Sequence, residues 1–142
     1  MKIKRFSDTA LLPTRATAHS AGYDLYADLL EPIIIKPHEA RMIPTGIGMN
    51  IPREFFGGIY ARSGWATKRG LRPSNCVGCI DSDYTGQIYV SLHNDSDEEA
   101  YIYGGDRIAQ LIFQPYAVLA FEEVGELDAT DRGEGGFGST GR

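Results

Sequence analysis

The sequence predicts an all-β sandwich or barrel carrying one short helix. Three observations point there. Apolar or alternating runs of strand length recur at residues 32–36, 41–43, 46–51, 55–61, 87–93, 100–103 and 107–120. Turn-forming clusters break them at short intervals: Lys36-Pro37-His38-Glu39, Asn50-Ile51-Pro52-Arg53, Asn94-Asp95-Ser96-Asp97 and Gly104-Gly105-Asp106. A single stretch, Ser63–Arg69, reads as a turn or two of helix, with Ser63 as its expected N-cap. Short strands with turns this frequent close most readily into a sandwich or a barrel.

A length of 142 residues fits one domain with a real core. The apolar pattern ends near Val124, which sets a core of residues 1–124. Residues 125–131 read as a polar linker into a glycine-rich tail. No internal repeat is present. No apolar run is long enough to span a membrane, and Met1-Lys2-Ile3-Lys4-Arg5-Phe6 lacks the apolar stretch of a signal peptide. A cytoplasmic setting is expected, or a host cell's cytoplasm or nucleus were the chain viral. The formal net charge of −5 argues against a broad nucleic-acid surface. It leaves room for a small cationic pocket, and Arg62, Lys68, Arg69 and Arg72 form one local basic cluster. The pair Cys76 and Cys79 has C-x-x-C spacing, but no second pair or nearby histidine completes a zinc set. On a strand these positions face opposite ways, so two small buried thiols are expected.

The tail, Arg132-Gly133-Glu134-Gly135-Gly136-Phe137-Gly138-Ser139-Thr140-Gly141-Arg142, has the parts of a phosphate clamp with an aromatic lid. Glycines let backbone N–H groups turn toward an anion. Ser139 and Thr140 add hydroxyl donors, and Arg132 adds a forked cation suited to phosphate. Phe137, the large apolar side chain of the tail, wants a flat partner such as a base or sugar. A plain flexible terminus is the competing reading.

Four internal segments also carry candidate chemistry. Residues 77–80 form an apolar strand running into the acidic turn Asp81-Ser82-Asp83-Tyr84-Thr85-Gly86 and out through Gln87-Ile88-Tyr89-Val90, as in a hairpin. Asp81, half-buried where strand meets turn, suits a general base, and Tyr84 suits stacking on a small ring. An Asx-rich turn without chemistry is the alternative. Arg62-Ser63-Gly64 opens the helix and could hold an anion, or be a simple cap. Gln110 sits inside an apolar strand, so its amide needs backbone or ligand partners. Asp24 lies between aromatics, and an ion pair with Arg62 or Arg107 is its expected structural role. No Walker A loop, zinc-deaminase signature or local nucleophilic triad is present.

Five segments together resemble the homotrimeric dUTP pyrophosphatases, the dUTPases: Ala21-Gly22-Tyr23-Asp24-Leu25-Tyr26-Ala27, Arg62-Ser63-Gly64, residues 78–86, residues 105–112, and residues 132–141. The resemblance covers nearly the whole chain with the motifs in order. It implies a distorted jelly-roll-like β fold with a flexible C-terminal arm, and a homotrimer whose three active sites are shared between subunits. It implies hydrolysis of dUTP to dUMP and pyrophosphate with Mg2+ on the triphosphate, which lowers dUTP and supplies dUMP for dTMP synthesis. In it Asp81 activates the attacking water and Tyr84 packs on the deoxyribose. Asn75, the backbone of Gly78, Cys79 and Ile80, and Tyr89 surround uracil. Arg62, Ser63, Gly64 and Gln110 hold phosphates. Arg132, Gly138, Ser139 and Thr140 clamp the far phosphate end, Phe137 stacks on the base, and Asp24 lies in the outer shell of the metal, with no direct protein ligand to it. Trp65 stands where the family usually has Leu or Met, and Cys79 where an aliphatic residue is usual. The rival readings are a dCTP deaminase-like or bifunctional enzyme, for which no deaminating Glu can be placed, and a catalytically silent nucleotide-binding or regulatory module.

Overall fold

The computed structural model describes residues 1–75 and 77–136. Eleven strands and one helix follow one another as β1 (Ile3–Arg5), β2 (Tyr23–Tyr26), β3 (Ile33–Ile35), β4 (Ala40–Pro44), β5 (Ile47–Met49), β6 (Phe55–Tyr60), α1 (Ser63–Arg69), β7 (Leu71–Pro73), β8 (Gly78–Ile80), β9 (Tyr89–Asn94), β10 (Ala100–Ile102) and β11 (Arg107–Pro115). They form a four-stranded sheet, β2-β11-β6-β8, a three-stranded sheet, β4-β9-β7, and two ribbons, β1-β5 and β10-β3. All pairings between these strands are antiparallel. The sheets face one another as a sandwich and do not close into a barrel.

Alternation explains how the layers meet. Along β9, Val90, Leu92 and Asn94 point inward while Tyr89, Ser91 and His93 point out. The core takes side chains from every layer: Leu25 and Leu111 from the large sheet, Ile43, Leu71 and Leu92 from the three-stranded one, Ile47 and Ile35 from the ribbons. Asn94 is fully buried and fully used. Its Nδ2 donates to the Ile35 and Glu98 carbonyls at 3.0 and 2.7 Å, and its Oδ1 accepts from the Ser96 N–H and hydroxyl. One amide thereby ties β3 to β9 and shapes the following turn.

Several expectations are corrected. β1 and β7 are too short and too exposed or isolated to show a period, and only pairing with β5 and β9 makes them strands. The last strand ends at Pro115 rather than at residue 120, because beyond Pro115 no neighbouring strand pairs with it. The acidic turn does not join a hairpin. β8 pairs with β6, whereas β9 pairs with β4 and β7, so the turn crosses between two sheets. Helix α1 is capped at Arg62 rather than Ser63, with no side-chain cap, and Gly70 ends it in a left-handed conformation. The basic cluster is dispersed: Arg62 pairs with Asp24, Arg69 lies over the Trp65 ring, and Arg72 binds Asp95. No described helix is long and apolar enough to cross a membrane.

Gly46 links β4 to β5 at φ 67°, and a Cβ there would lie 2.3 Å from Asp28 Oδ2 and 2.6 Å from Ala10 Cβ. Asp28 is held by the Ser7 and Thr9 hydroxyls, so it cannot simply swing aside. Gly46→Ala should therefore cost about 2–4 kcal/mol, from a strained backbone plus overpacking. Urea unfolding monitored by fluorescence checks this.

Candidate active site

Asp24 organises the first of two sites. It lies on β2 with a side chain only 12% exposed. Its Oδ1 accepts from Arg62 Nε at 2.8 Å and its Oδ2 from Arg107 Nη1 at 3.4 Å. A buried carboxylate needs such partners, because an isolated charge at this depth is costly. Both arginines offered as partners by the sequence are used. Arg62 also donates Nη1 to the Arg107 carbonyl at 3.4 Å. Gln110, opposite Asp24 in the β11–β2 ladder, donates Nε2 to the Ala61 carbonyl at 2.9 Å. Its amide is thereby oriented by backbone and lines a pocket.

That pocket, about 340 Å³, is walled by Ala16, Ser20, Ala21, Gly22, Asp24, Arg62, Ser63, Gly64 and Gln110. Its walls combine one guanidinium, one carboxylate, hydroxyls, an amide and the first residues of α1. Two arginines share one carboxylate, so the cluster keeps a net positive charge. Such a surface suits a polyanion.

The second site is a groove of about 250 Å³ between the two larger sheets, lined by Met42, Cys79, Ile80, Asp81, Tyr84, Gln87 and Tyr89. It exists because the acidic turn crosses between sheets instead of closing a hairpin. The Tyr84 hydroxyl donates to the Gln87 carbonyl at 2.7 Å, and its N–H donates to the Asp81 carbonyl. These bonds fix the Tyr84 ring and the backbone that carries the Asp81 carboxylate on one rim. Asp81 is exposed rather than half-buried, because none of the described residues covers the rim. Cys79 is also exposed, correcting the expected buried thiol; Cys76 lies outside the described residues. The Cys79 Sγ lies 3.9 Å from Asp81 Oδ1. Partial burial, then the Asp81 charge and contact, push the thiol's pKa up from its usual value. Gly78 is buried against Ile59 of β6, and Asn75 packs its amide over Gly78. A shallow basin beside Asp81 adds Arg53 and Tyr116.

The structure thus gathers Asp24, Arg62, Ser63, Gly64 and Gln110 in one place and Cys79, Ile80, Asp81, Tyr84 and Tyr89 in another. The two linings share no residue. Arg132 is exposed and, among the described residues, bonds within the tail, to the Gly135 carbonyl at 2.7 Å. Phe137, Gly138, Ser139 and Thr140 lie outside the described residues. Sequence reasoning missed Ser20 and Met42. Met42 had a signal, since Ile43 beside it is buried and alternation turns Met42 outward.

The dUTPase family model matches residues 8–141. The chain belongs to the dUTPase family. A deoxyuridine 5'-triphosphate nucleotidohydrolase of Orientia tsutsugamushi (strain Ikeda) is 42% identical over 140 residues, covering 99% of this chain and 95% of that protein. The corresponding protein of Rickettsia felis is 47% identical over 140 residues, covering 99% and 93%. The solved dUTPase of Staphylococcus bacteriophage 80alpha with dUPNHPP superposes with a TM-score of 0.90 at 28% identity, covering 99% of this chain and 98% of that one. The dUTPase chain is accordingly an enzyme, a nucleotidohydrolase acting on dUTP, and its sandwich is the jelly-roll-like fold of its relatives.

Gly64 separates function from folding in this dUTPase. A Cβ built there meets nothing within 4 Å, and it borders the polar pocket. Gly64→Ala should keep stability or raise it by up to about 1 kcal/mol, since alanine favours helix. The added methyl should still lower kcat/KM for dUTP at least about tenfold by narrowing the polar pocket. Thermal melts and steady-state kinetics on one preparation check both halves.

Proposed function

We propose that this dUTPase converts dUTP to dUMP and pyrophosphate at a site assembled from more than one subunit, with Asp81 as general base. The division of the site residues supports this reading. One chain carries a cationic, donor-rich pocket suited to phosphates and, separately, a groove with a carboxylate and two tyrosines suited to a nucleoside. Each lacks what the other holds, and contact between copies of the chain supplies it. Exposed apolar side chains support assembly too: Val118, Leu119, Phe121 and Leu127 stand in solvent on the single chain, Phe121 at 101% relative exposure.

In the proposed mechanism uracil and deoxyribose lie in the groove, with Asn75, the strand of Gly78, Cys79 and Ile80, and Tyr89 about the base. Tyr84 stacks on the sugar where a 2'-hydroxyl would clash. Arg62, Ser63, Gly64 and Gln110 of another subunit hold the phosphates in line. Asp81 takes a proton from a water as its oxygen attacks the α-phosphorus. The bond from that phosphorus to the bridging oxygen breaks, and pyrophosphate leaves with the electron pair. The arm, from Arg132 through Phe137, Gly138, Ser139 and Thr140, closes over a site built by its neighbours in a trimer. The product dUMP feeds dTMP synthesis in the cytoplasm while dUTP falls.

Mg2+, when bound, neutralises triphosphate charge. Among the described residues no three His, Cys, Asp or Glu side chains gather as a metal site. Asp24 is already spanned by two arginines. The donor set therefore fits an ion carried on the phosphates with its own waters, Asp24 standing in the outer shell.

Asp81→Asn should retain binding of an imido analogue of dUTP and lose about 100- to 10,000-fold in turnover, measured as pyrophosphate release. Normal turnover would sink the assignment. Co-assembly of inactive Asp81→Asn chains with Arg62→Gln chains should restore part of the activity, because some sites then draw both intact residues from different subunits; a mixture as inactive as its parts refutes the shared site. Tyr84→Ala should narrow the preference for dUTP over UTP, read as the ratio of kcat/KM values. An unchanged ratio places the sugar filter elsewhere.

A further inference from the structure

Arg107 contacts the phosphate pocket's framework through Asp24, and the proposed mechanism gives it no task. It reaches that framework through an irregularity in β11. Arg107 is paired with Tyr26 and Ala109 with Leu25, so Ile108 is an extra residue, a β-bulge. Strict alternation would put Arg107 on the face of Ala109 and Leu111, both fully buried in the core. The bulge shifts it to the other face, level with Tyr26 and beside Asp24 and Gln110. There its side chain is half exposed, and Nη1 meets Asp24 Oδ2 at 3.4 Å.

We propose that Arg107 is a positioning residue for the triphosphate clamp, acting through Asp24 to hold Arg62 with its outer edge toward the pocket. This rests on the reading of that pocket as the phosphate half of the dUTP site. Arg62 is gripped on two sides, Nε by Asp24 and Nη1 by the Arg107 carbonyl at the bulge. Among the described residues its third nitrogen, Nη2, makes no hydrogen bond, so it remains for a ligand. The Arg107 side chain holds the second oxygen of Asp24, which keeps the carboxylate from rotating and taking Arg62 with it. It also prevents the pocket's charge from cancelling. With Arg107 the cluster of two arginines and one carboxylate is net positive; without it, Asp24 and Arg62 form a neutral pair that attracts a polyanion less.

The test is calorimetric binding of two probes to the full-length chain in magnesium buffer: the imido analogue of dUTP, and dUMP. Arg107→Met should weaken the analogue about tenfold while changing dUMP less than about twofold, since the loss falls on the outer phosphates. Arg107→Lys, which keeps the cation and serves in its place should Arg107→Met not fold, should fall between the Met variant and wild type. In an Asp24→Asn background, adding Arg107→Met should weaken the analogue less than about twofold further. Equal losses for both probes, no loss for either, or losses that multiply in the double variant would each overturn the proposal. A wild-type chain that binds neither probe would overturn the dUTP reading itself, which separates the two failures.

Discussion

A single carboxylate, Asp24, constrains the region on which function depends. It is buried in a sheet, so it must be paired, and its two partners come from the start of α1 and the start of β11. Three elements distant in sequence are thereby held at fixed spacing. Removing both cations would leave the Asp24 charge uncompensated, which for a buried pair costs about 3–5 kcal/mol; removing one leaves the other in place. The same pairing that satisfies Asp24 aims Arg62, so the stability of this corner and the shape of the polar pocket have one cause. Gln110 follows the same logic, its donor spent on the Ala61 carbonyl and its amide plane set as a result.

The groove arises differently, from topology rather than charge. β8 and β9 are near in sequence but belong to different sheets, so the chain between them must cross a gap. Asp81 and Tyr84 line that gap and are fixed by short backbone bonds of the turn. The strands give the turn a rigid base, while the rim stays open for a planar ligand. The described residues leave this rim uncovered, along with apolar side chains beyond Pro115.

Much of this was legible in advance. Alternation in 87–93 gave β9 and its inward face, and the run at 55–61 gave β6, because a half-buried strand must write its period into sequence. The pairing of Asp24 followed from the cost of burying a carboxylate. What was not legible had no local signature. β1 and β7 are strands only through their neighbours. The exposure of Asp81 and Cys79 depends on what covers the groove, and the cap of α1 shifted one residue because backbone geometry at Arg62, not hydroxyl chemistry at Ser63, begins the helix.

The sequence by itself determined the fold class, the family and the chemistry-bearing residue types, since strand period, turn composition and ordered motifs are properties of neighbouring residues. The tertiary structure alone decided how those residues are grouped. It set the cluster of Asp24, Arg62 and Gln110 and the cluster of Asp81, Tyr84 and Tyr89 in two separate places, and it turned Arg107 from the core face to the Asp24 face by one inserted residue. A bulge reverses the face of every side chain on one side of it, and its position is fixed by pairing with another strand. That information is shared between β2 and β11 and is written in neither alone.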